Sequence, residues 1–416
     1  MIKTFTTDRA AQIIEGDQTC EWIHLNIGLD VPPVSAGSYK YLLWDIINAR
    51  KEKDLLISRY FQKSFDVAKG SDCAVCQLDI TSHDMRTIFD CRFNWLKCKI
   101  TGKENDIFLQ SVANIIRESQ GKNVLLWGGI NSLPELRKHL PEYNIAYAQR
   151  HYNYRREVSY YDYCDTLLAQ TPGQVRYAFE KNERVTPSIY IIPNGVETEI
   201  FHPVSSQEEK AAGRAKLGIP QESTLVVFPS KVALHKGSRL LERLILKAEN
   251  ELSDVCFLVI GGLHHRLPAS HRKYLEKILT SSANTYWSRG VNRDAMPDLI
   301  RLGDICLMPA VWREGFSMAG LECMSSGLPV VAPASGSYTE LIKDGYNGKL
   351  ARVEHMFEDL YEAIKLYALN RELCQKMGVN CRKFVVEKLK REKVIRNFCL
   401  FLEGNADNIE NDMSVT

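Results

Sequence analysis

Short apolar runs of strand length alternate with longer segments of helical period along this chain, and that alternation narrows the available folds more than any other feature. From Ile23 the sequence reads "IHLNIGLDVPPVSAGSYKYLLWDIINARKEKD": an apolar strand, a Pro/Gly/Ser loop, then a helix-period stretch carrying Tyr39, Leu42, Leu43, Ile46 and Ile47. The unit recurs as a helix at "NDIFLQSVANIIRESQ", a strand at "KNVLLWGG", a short helix at "LPELRKHL", a strand at "NIAYAQ", and later the strands "LLAQT" and "IYIIP". Repeated buried strands with helices between them specify an open parallel α/β sheet covered on both faces. After "IPNGVETEIFHP", where Pro193, Asn194, Gly195 and Pro203 punctuate the chain, a second series begins. It holds the strands "TLVVFPS", "VCFLVIGG", "ICLMPA" and "PVVAP" and the helices "SRLLERLILKAENE", "ASHRKYLEKILTSS" and "AMPDLIRLG". The chain therefore divides into an α/β domain over residues 1–195, a second over 196–385, and a closing segment 386–416 with a polar tail. Ligands of open parallel sheets sit beyond the carboxyl ends of the strands, so two such sheets facing each other place a ligand in the crevice between them.

At 416 residues the chain has room for two to three domains of about 100–200 residues each. Hydrophobic residues at 45% and charged residues at 25% match a globular enzyme. A net charge of +2 implies no nucleic-acid partner. The start "MIKTFTTDRAAQIIEGD" has no apolar run of signal-peptide length, and no stretch reaches the roughly 18 apolar residues of a spanning helix, so a cytoplasmic location is expected, with room for peripheral membrane contact. Twelve scattered cysteines then read as reduced thiols. Cys73 and Cys76, followed by Cys91 and Cys98, lack the spacing of a zinc knuckle, so four buried thiols are expected there and no metal.

"WREGFSMAGLECMSSGLPVV", residues 312–331, is built unlike a core helix. The turn "EGFSMAG" follows an apolar strand and opens a helix, so the amides of Gly315, Phe316, Ser317 and Met318 suit an anionic group such as a diphosphate. Glu314 precedes the turn, where a carboxylate can accept hydrogen bonds from sugar hydroxyls. Glu322 lies two turns into the helix, where it can take a ribose diol. Upstream, "SKVALHKGSRLL" places Lys231 after a strand and Lys236 before a Gly-Ser helix start, two ammonium groups that suit a pyrophosphate leaving group.

Together, "IIPNGVETEIFHP", "FPSKVALHKG", "FLVIGG", "MPAVWREGFSMAGLECMSSGLPVVAP" and "TELIKDGYNGKL" resemble the retaining GT-B glycosyltransferases of family 4 over roughly residues 186–350. The resemblance implies a GT-B fold of two Rossmann-like domains facing across a cleft, the first binding acceptor and the second a nucleotide-sugar, with "RREKVIRNFCLFLEG" as a helix crossing back to the first. It implies that Glu314 holds donor-sugar hydroxyls, that Glu322 holds the ribose, and that Phe316, Ser317 and Met318 touch sugar and diphosphate. Lys231 and Lys236 fall at the family's basic pair, whose first member is more often arginine. Arg289, Gly290 and Val291 fall where backbone meets the nucleobase. Gly37 and Ser38, in "VPPVSAGSYKY", resemble a reduced form of the glycine loop that approaches the donor phosphates, with Ala-Gly in place of the usual paired glycine. His151 lies near the family's sugar-contacting histidine, and Arg150, Arg155 and Arg156 beside it suit an acceptor or an anionic lipid.

The implied activity is a hexosyl transfer, with retention, from a UDP- or GDP-sugar to a glycan, glycolipid or other hydroxyl acceptor, with the nucleotide-diphosphate sugar as co-substrate and neither cofactor nor metal. A retaining hydrolase needs one carboxylate as nucleophile. Both glutamates are assigned to binding here, so the expectation is same-face attack in which the leaving diphosphate helps accept the proton. Three rivals follow: a GT-B epimerase, hydrolase or phosphorylase, an NAD-dependent oxidoreductase, and a non-catalytic nucleotide-sugar-binding subunit. Neither "WGGINS" nor "IGGLHH" supplies a full G-x-G-x-x-G, which counts against the oxidoreductase.

Overall fold

A computed structural model of the chain describes residues 3–16, 18–26, 38–59, 62–69, 71–79, 104–149, 158–179 and 187–410. The chain forms two compact units, Met1–Ile192 with Ile395–Glu410, and Pro193–Val394. Each is an α/β layer structure.

The first unit is built on strands β1 (Lys3–Thr6), β2 (Trp22–Asn26), β3 (Asp54–Arg59), β4 (Ala74–Asp79), β5 (Asn123–Trp127), β6 (Asn144–Ala148), β7 (Thr166–Ala169) and β8 (Ser188–Ile191). They pair in the order β1-β4-β3-β2-β5-β6-β7-β8. All neighbours are parallel except β1, which runs antiparallel to β4 at the edge. Every residue of β2 is buried, as strands covered on both faces must be. The sequence pattern picked out β2 and β5 to β8 but not β1, β3 and β4. Cys76 lies inside β4 with no exposure, and burial pushes its thiol up to about 12, the behaviour of a small core residue. Cys73 is buried beside it. Among the described residues no group of three His, Cys, Asp or Glu side chains is placed to hold a metal ion. Cys91 and Cys98 lie outside the described residues.

The second unit carries β9 (Thr224–Phe228), β10 (Val255–Ile260), β11 (Thr285–Ser288), β12 (Ile305–Leu307), β13 (Val330–Pro333) and β14 (Gly348–Ala351). Their order is β11-β10-β9-β12-β13-β14, all parallel. Counted from β9 this is the order 3-2-1-4-5-6 of a doubly wound nucleotide-binding sheet, which reverses between β9 and β12. The helix Ser238–Glu251 after β9 buries Leu241, Leu244, Ile245 and Ala248, a stripe at intervals of three, one and three residues. Those side chains pack with Val226, Phe228, Phe257 and Val259 of the sheet. Gly237 starts that helix in a left-handed conformation (φ 81°), where a side chain would meet Pro309 O at 1.8 Å; only glycine fits. The loop after β9 is thereby packed against the loop after β12. Among the described residues no helix is long and apolar enough to cross a membrane.

Candidate functional site

The switch point between β9 and β12 brings together residues that lie far apart in sequence. Lys236, in the turn after β9, donates from Nζ to Glu314 Oε2 at 2.7 Å. Trp312, in the loop after β12, donates its indole N–H to the same oxygen at 2.8 Å. Val311 N bonds to His235 O at 3.1 Å, fastening the two loops. The His235 ring lies 4.5 Å from that of Trp312, and His264 meets His235 edge-on at 6.0 Å. Burial, helped by the adjacent Lys236 ammonium, holds His235 below the usual imidazole range.

Glu314 is 8% exposed and its backbone is clamped by the loop after β13. Ser337 N donates to Glu314 O at 3.0 Å. Gly336, with φ 63°, approaches so closely that a side chain would meet Glu314 N and O at 2.6 Å. Beyond it, Phe316 and Ser317 are buried and Gly315 is enclosed, while Met318 opens the helix Met318–Ser325. Ser317 caps that helix by accepting from Gly320 N at 3.3 Å, and buried Tyr338 donates to Ser317 Oγ at 3.1 Å. A carboxylate held at a helix entrance can accept from hydroxyls, while the helix start favours anionic charge.

Glu322 sits on the same helix, close to a charged group formed by Glu197, Arg293 and Arg391. Arg391 Nη1 pairs with Glu197 Oε2 at 3.0 Å, and Arg293 pairs with the same carboxylate oxygen. Burial pushes the Glu322 carboxyl up to about 7; Arg293 and Arg391 oppose that rise and Glu197 adds to it. Gly195 lets the "PNG" turn close on Arg391, whose Cα would lie 2.7 Å from a side chain there.

Lys231 and the stretch Arg289 to Val291 are not hydrogen-bonded to the Lys236–Glu314 pair. Lys231 is exposed, in the loop after β9, where Gly261 admits the backbone of Ser230 and Lys231. Arg289 and Gly290 are exposed and Val291 partly so, just after β11; Arg289 stacks on Trp287 at 3.7 Å and pairs with Glu276 at 3.2 Å. Ser38 begins the helix Ser38–Arg50. Gly37 and His151, with Arg150, Arg155 and Arg156, lie outside the described residues. Trp312, His235, Tyr338 and Gly336 were not singled out from sequence. Trp312 stands two residues before Glu314, and that proximity was the only signal available for it.

Residues 209–384 match the family model for glycosyl transferases group 1. The lipopolysaccharide 1,2-N-acetylglucosaminetransferase of Salmonella typhimurium is 22% identical over 235 residues, 55% of this chain and 59% of that one. The chain spans about half the length of the curated relatives it matches. Among solved structures, HepE of Anabaena, in complex with UDP and glucose, superposes with a TM-score of 0.69 at 14% identity, covering 92% of this chain and 100% of that one. Sucrose-phosphate synthase of Thermosynechococcus elongatus gives a TM-score of 0.71 at 14% identity, covering 92% and 98%. The chain has the GT-B fold, and the stretch that matches the glycosyl transferases group 1 model, residues 209–384, contains Lys231, Lys236, Glu314 and Glu322.

Proposed function

We propose that this chain is a retaining, metal-independent glycosyltransferase of family 4 that moves a hexosyl group from a UDP- or GDP-sugar to a hydroxyl of a glycan or glycolipid. The observation that carries the reading is the convergence of Lys236 and Trp312 on Glu314 Oε2 at the reversal of strand order, one residue before the enclosed turn that opens a helix. Glu314 accepts from hydroxyls of the donor sugar, Glu322 from the ribose diol, and the helix start at Met318 takes the diphosphate. Lys236 and the exposed Lys231 offset the charge that grows on the leaving diphosphate as the glycosidic bond breaks. Both carboxylates are engaged in binding, so neither is the nucleophile. The acceptor oxygen attacks on the face the diphosphate leaves, and a phosphate oxygen takes its proton. The first unit binds the acceptor, and the setting is polysaccharide or glycolipid assembly at the cytoplasmic side of a membrane, by analogy with such enzymes.

Supporting this reading are the match over residues 209–384 and the UDP-sugar ligands of fold neighbours such as HepE. The test is incubation with UDP-, GDP- and ADP-sugars in EDTA, followed by release of nucleoside diphosphate. Release from one donor, lost in Glu314→Gln, is expected. Nucleotide binding without release, with or without acceptor glycans, would instead assign a non-catalytic binding subunit.

A further inference from the structure

Two donors of different kinds share one oxygen of Glu314. Lys236 reaches Oε2 on a four-carbon stem, a compact charge that readily changes partner. Trp312 reaches it through a ring N–H that can only donate. The indole is held by its neighbours: the His235 ring lies 4.5 Å away, the Lys236 ammonium 5.4 Å from its centroid, and Val311 is bonded to His235 O. Among the described residues no donor is bonded to Glu314 Oε1. At 37% exposure Trp312 supports no core.

Resting on the donor-sugar reading above, we infer that Trp312 is a positioning residue: it keeps Glu314 Oε2 fixed when an arriving diphosphate draws Lys236 away, so that Oε1 still reads a sugar hydroxyl. A diphosphate bears more negative charge than one carboxylate, and the ammonium shifts toward it. A carboxylate held by that ammonium alone would turn with it. The indole N–H does not follow the ammonium toward an anion at the helix start, because its ring rests against His235 and its backbone neighbour Val311 is bonded to His235 O. Trp312 thus separates two tasks that Lys236 by itself would couple, neutralising the leaving group and orienting the sugar-reading carboxylate.

The test compares affinities for a sugar nucleotide and its bare diphosphate, by calorimetry with UDP-glucose and UDP, GDP-mannose and GDP, and ADP-glucose and ADP. For the pair the protein binds, Trp312→Phe removes the N–H and is expected to lower the ratio of sugar-nucleotide to diphosphate affinity by about 10-fold, leaving diphosphate affinity unchanged. Trp312→His, which restores a ring N–H, keeps most of the ratio. Glu314→Gln lowers the ratio too, and the double variant falls no further than Glu314→Gln alone, since Trp312 acts through that carboxylate. An unchanged ratio in Trp312→Phe beside a lowered one in Glu314→Gln overturns this inference and leaves the functional reading standing. Equal losses for sugar nucleotide and diphosphate in Trp312→Phe also overturn it. A ratio unmoved by Glu314→Gln, or no binding of any nucleotide, overturns the functional reading and this inference with it.

Discussion

Each unit holds a network of ionised side chains, and the two differ in where they sit. In the first unit, Asp54 and His24 are fully buried and Arg50 is 4% exposed. Trp127 donates its indole N–H to His24 Nδ1 at 3.1 Å, which leaves the ring proton on Nε2 to be donated to Asp54 Oδ2 at 2.9 Å. Arg50 adds two bonds to Asp54 and one to Glu403. Trp22 donates to Leu402 O at 2.8 Å, and Phe398 and Phe401 pack on Trp127 and Trp22. An Asp–His pair of this geometry resembles a catalytic dyad, but it is fully buried within the sheet, on β2 and the start of β3, and its network fastens the segment Ile395–Glu410 within the first unit. In the second unit, the Lys236–Trp312–Glu314 group lies at the carboxyl ends of the strands, with Trp312 open to solvent. Perturbed ionisable groups mark candidate sites only when a ligand can reach them. Position in the sheet, more than charge, separates the fastener from the site.

That contrast can be broken by substitution, and the largest effect belongs to the fastener. Burial raises the Asp54 carboxyl, but bonds from His24 and Arg50 outweigh this and hold it below the usual carboxylate range. Its contribution to stability is therefore present above the ordinary carboxylate pKa and lost as pH falls through that range. Asp54→Ala takes two bonds from the buried Arg50, which keeps Glu21 and Glu403, and the acceptor from the buried His24 Nε2, and is expected to cost about 3–5 kcal/mol in denaturant unfolding. A loss under about 1 kcal/mol, the worth of an exposed pair, would place the network at the surface instead.

Next is Glu314→Gln, which keeps the shape and removes the charge that two donors converge on. Donor turnover should fall by about 10- to 100-fold, the worth of a hydrogen bond to a charged group, with little change in melting temperature. Gly336→Ala combines the two effects. A methyl group there meets Glu314 N and O at 2.6 Å on a backbone of φ 63°, so about 1–2 kcal/mol of stability should be lost together with most turnover. Full turnover in that variant would show that the loop after β13 does not set the position of Glu314.

The smallest effect is a pH dependence. Glu322 is raised from 4.5 to about 7, so between those values the folded chain binds a proton that the unfolded chain does not. Stability from this group therefore falls as pH rises through that window. Glu322→Gln should flatten that slope and, above about pH 7, lose the rise in nucleotide affinity that ionisation of the carboxyl brings.

The sequence pattern made the second unit legible because its signals are local. Gly237 and the stripe Leu241, Leu244, Ile245 and Ala248 mark one helix, and the "EGFSMAG" turn marks the start of another. Glu314 and Lys236 could each be singled out, but their bond could not, since the two are 78 residues apart and meet only because β9 pairs with β12. Trp312 was missed although it bonds Glu314 from only two residues away, because nothing in the sequence shows that its indole N–H turns onto that carboxylate. Strands β1, β3, β4, β11 and β14 escaped for separate reasons: β1 and β14 are four residues long, β11 is only half-buried, and in β3 and β4, at six residues each, polar residues interrupt the apolar run. Asp54 opens β3 with a charge, against strand preference, and the energy that places it there comes from Arg50 and His24 through the fold.

The most direct measurement sets the two networks side by side: nucleoside diphosphate release from the preferred donor, together with melting temperature, for Glu314→Gln and Asp54→Ala. The expected result is a crossed one, with turnover lost at full stability in Glu314→Gln, and stability lost while turnover persists at low temperature in Asp54→Ala. Turnover that survives Glu314→Gln, or that vanishes in folded Asp54→Ala, would contradict the assignment of the site to the second unit's strand ends.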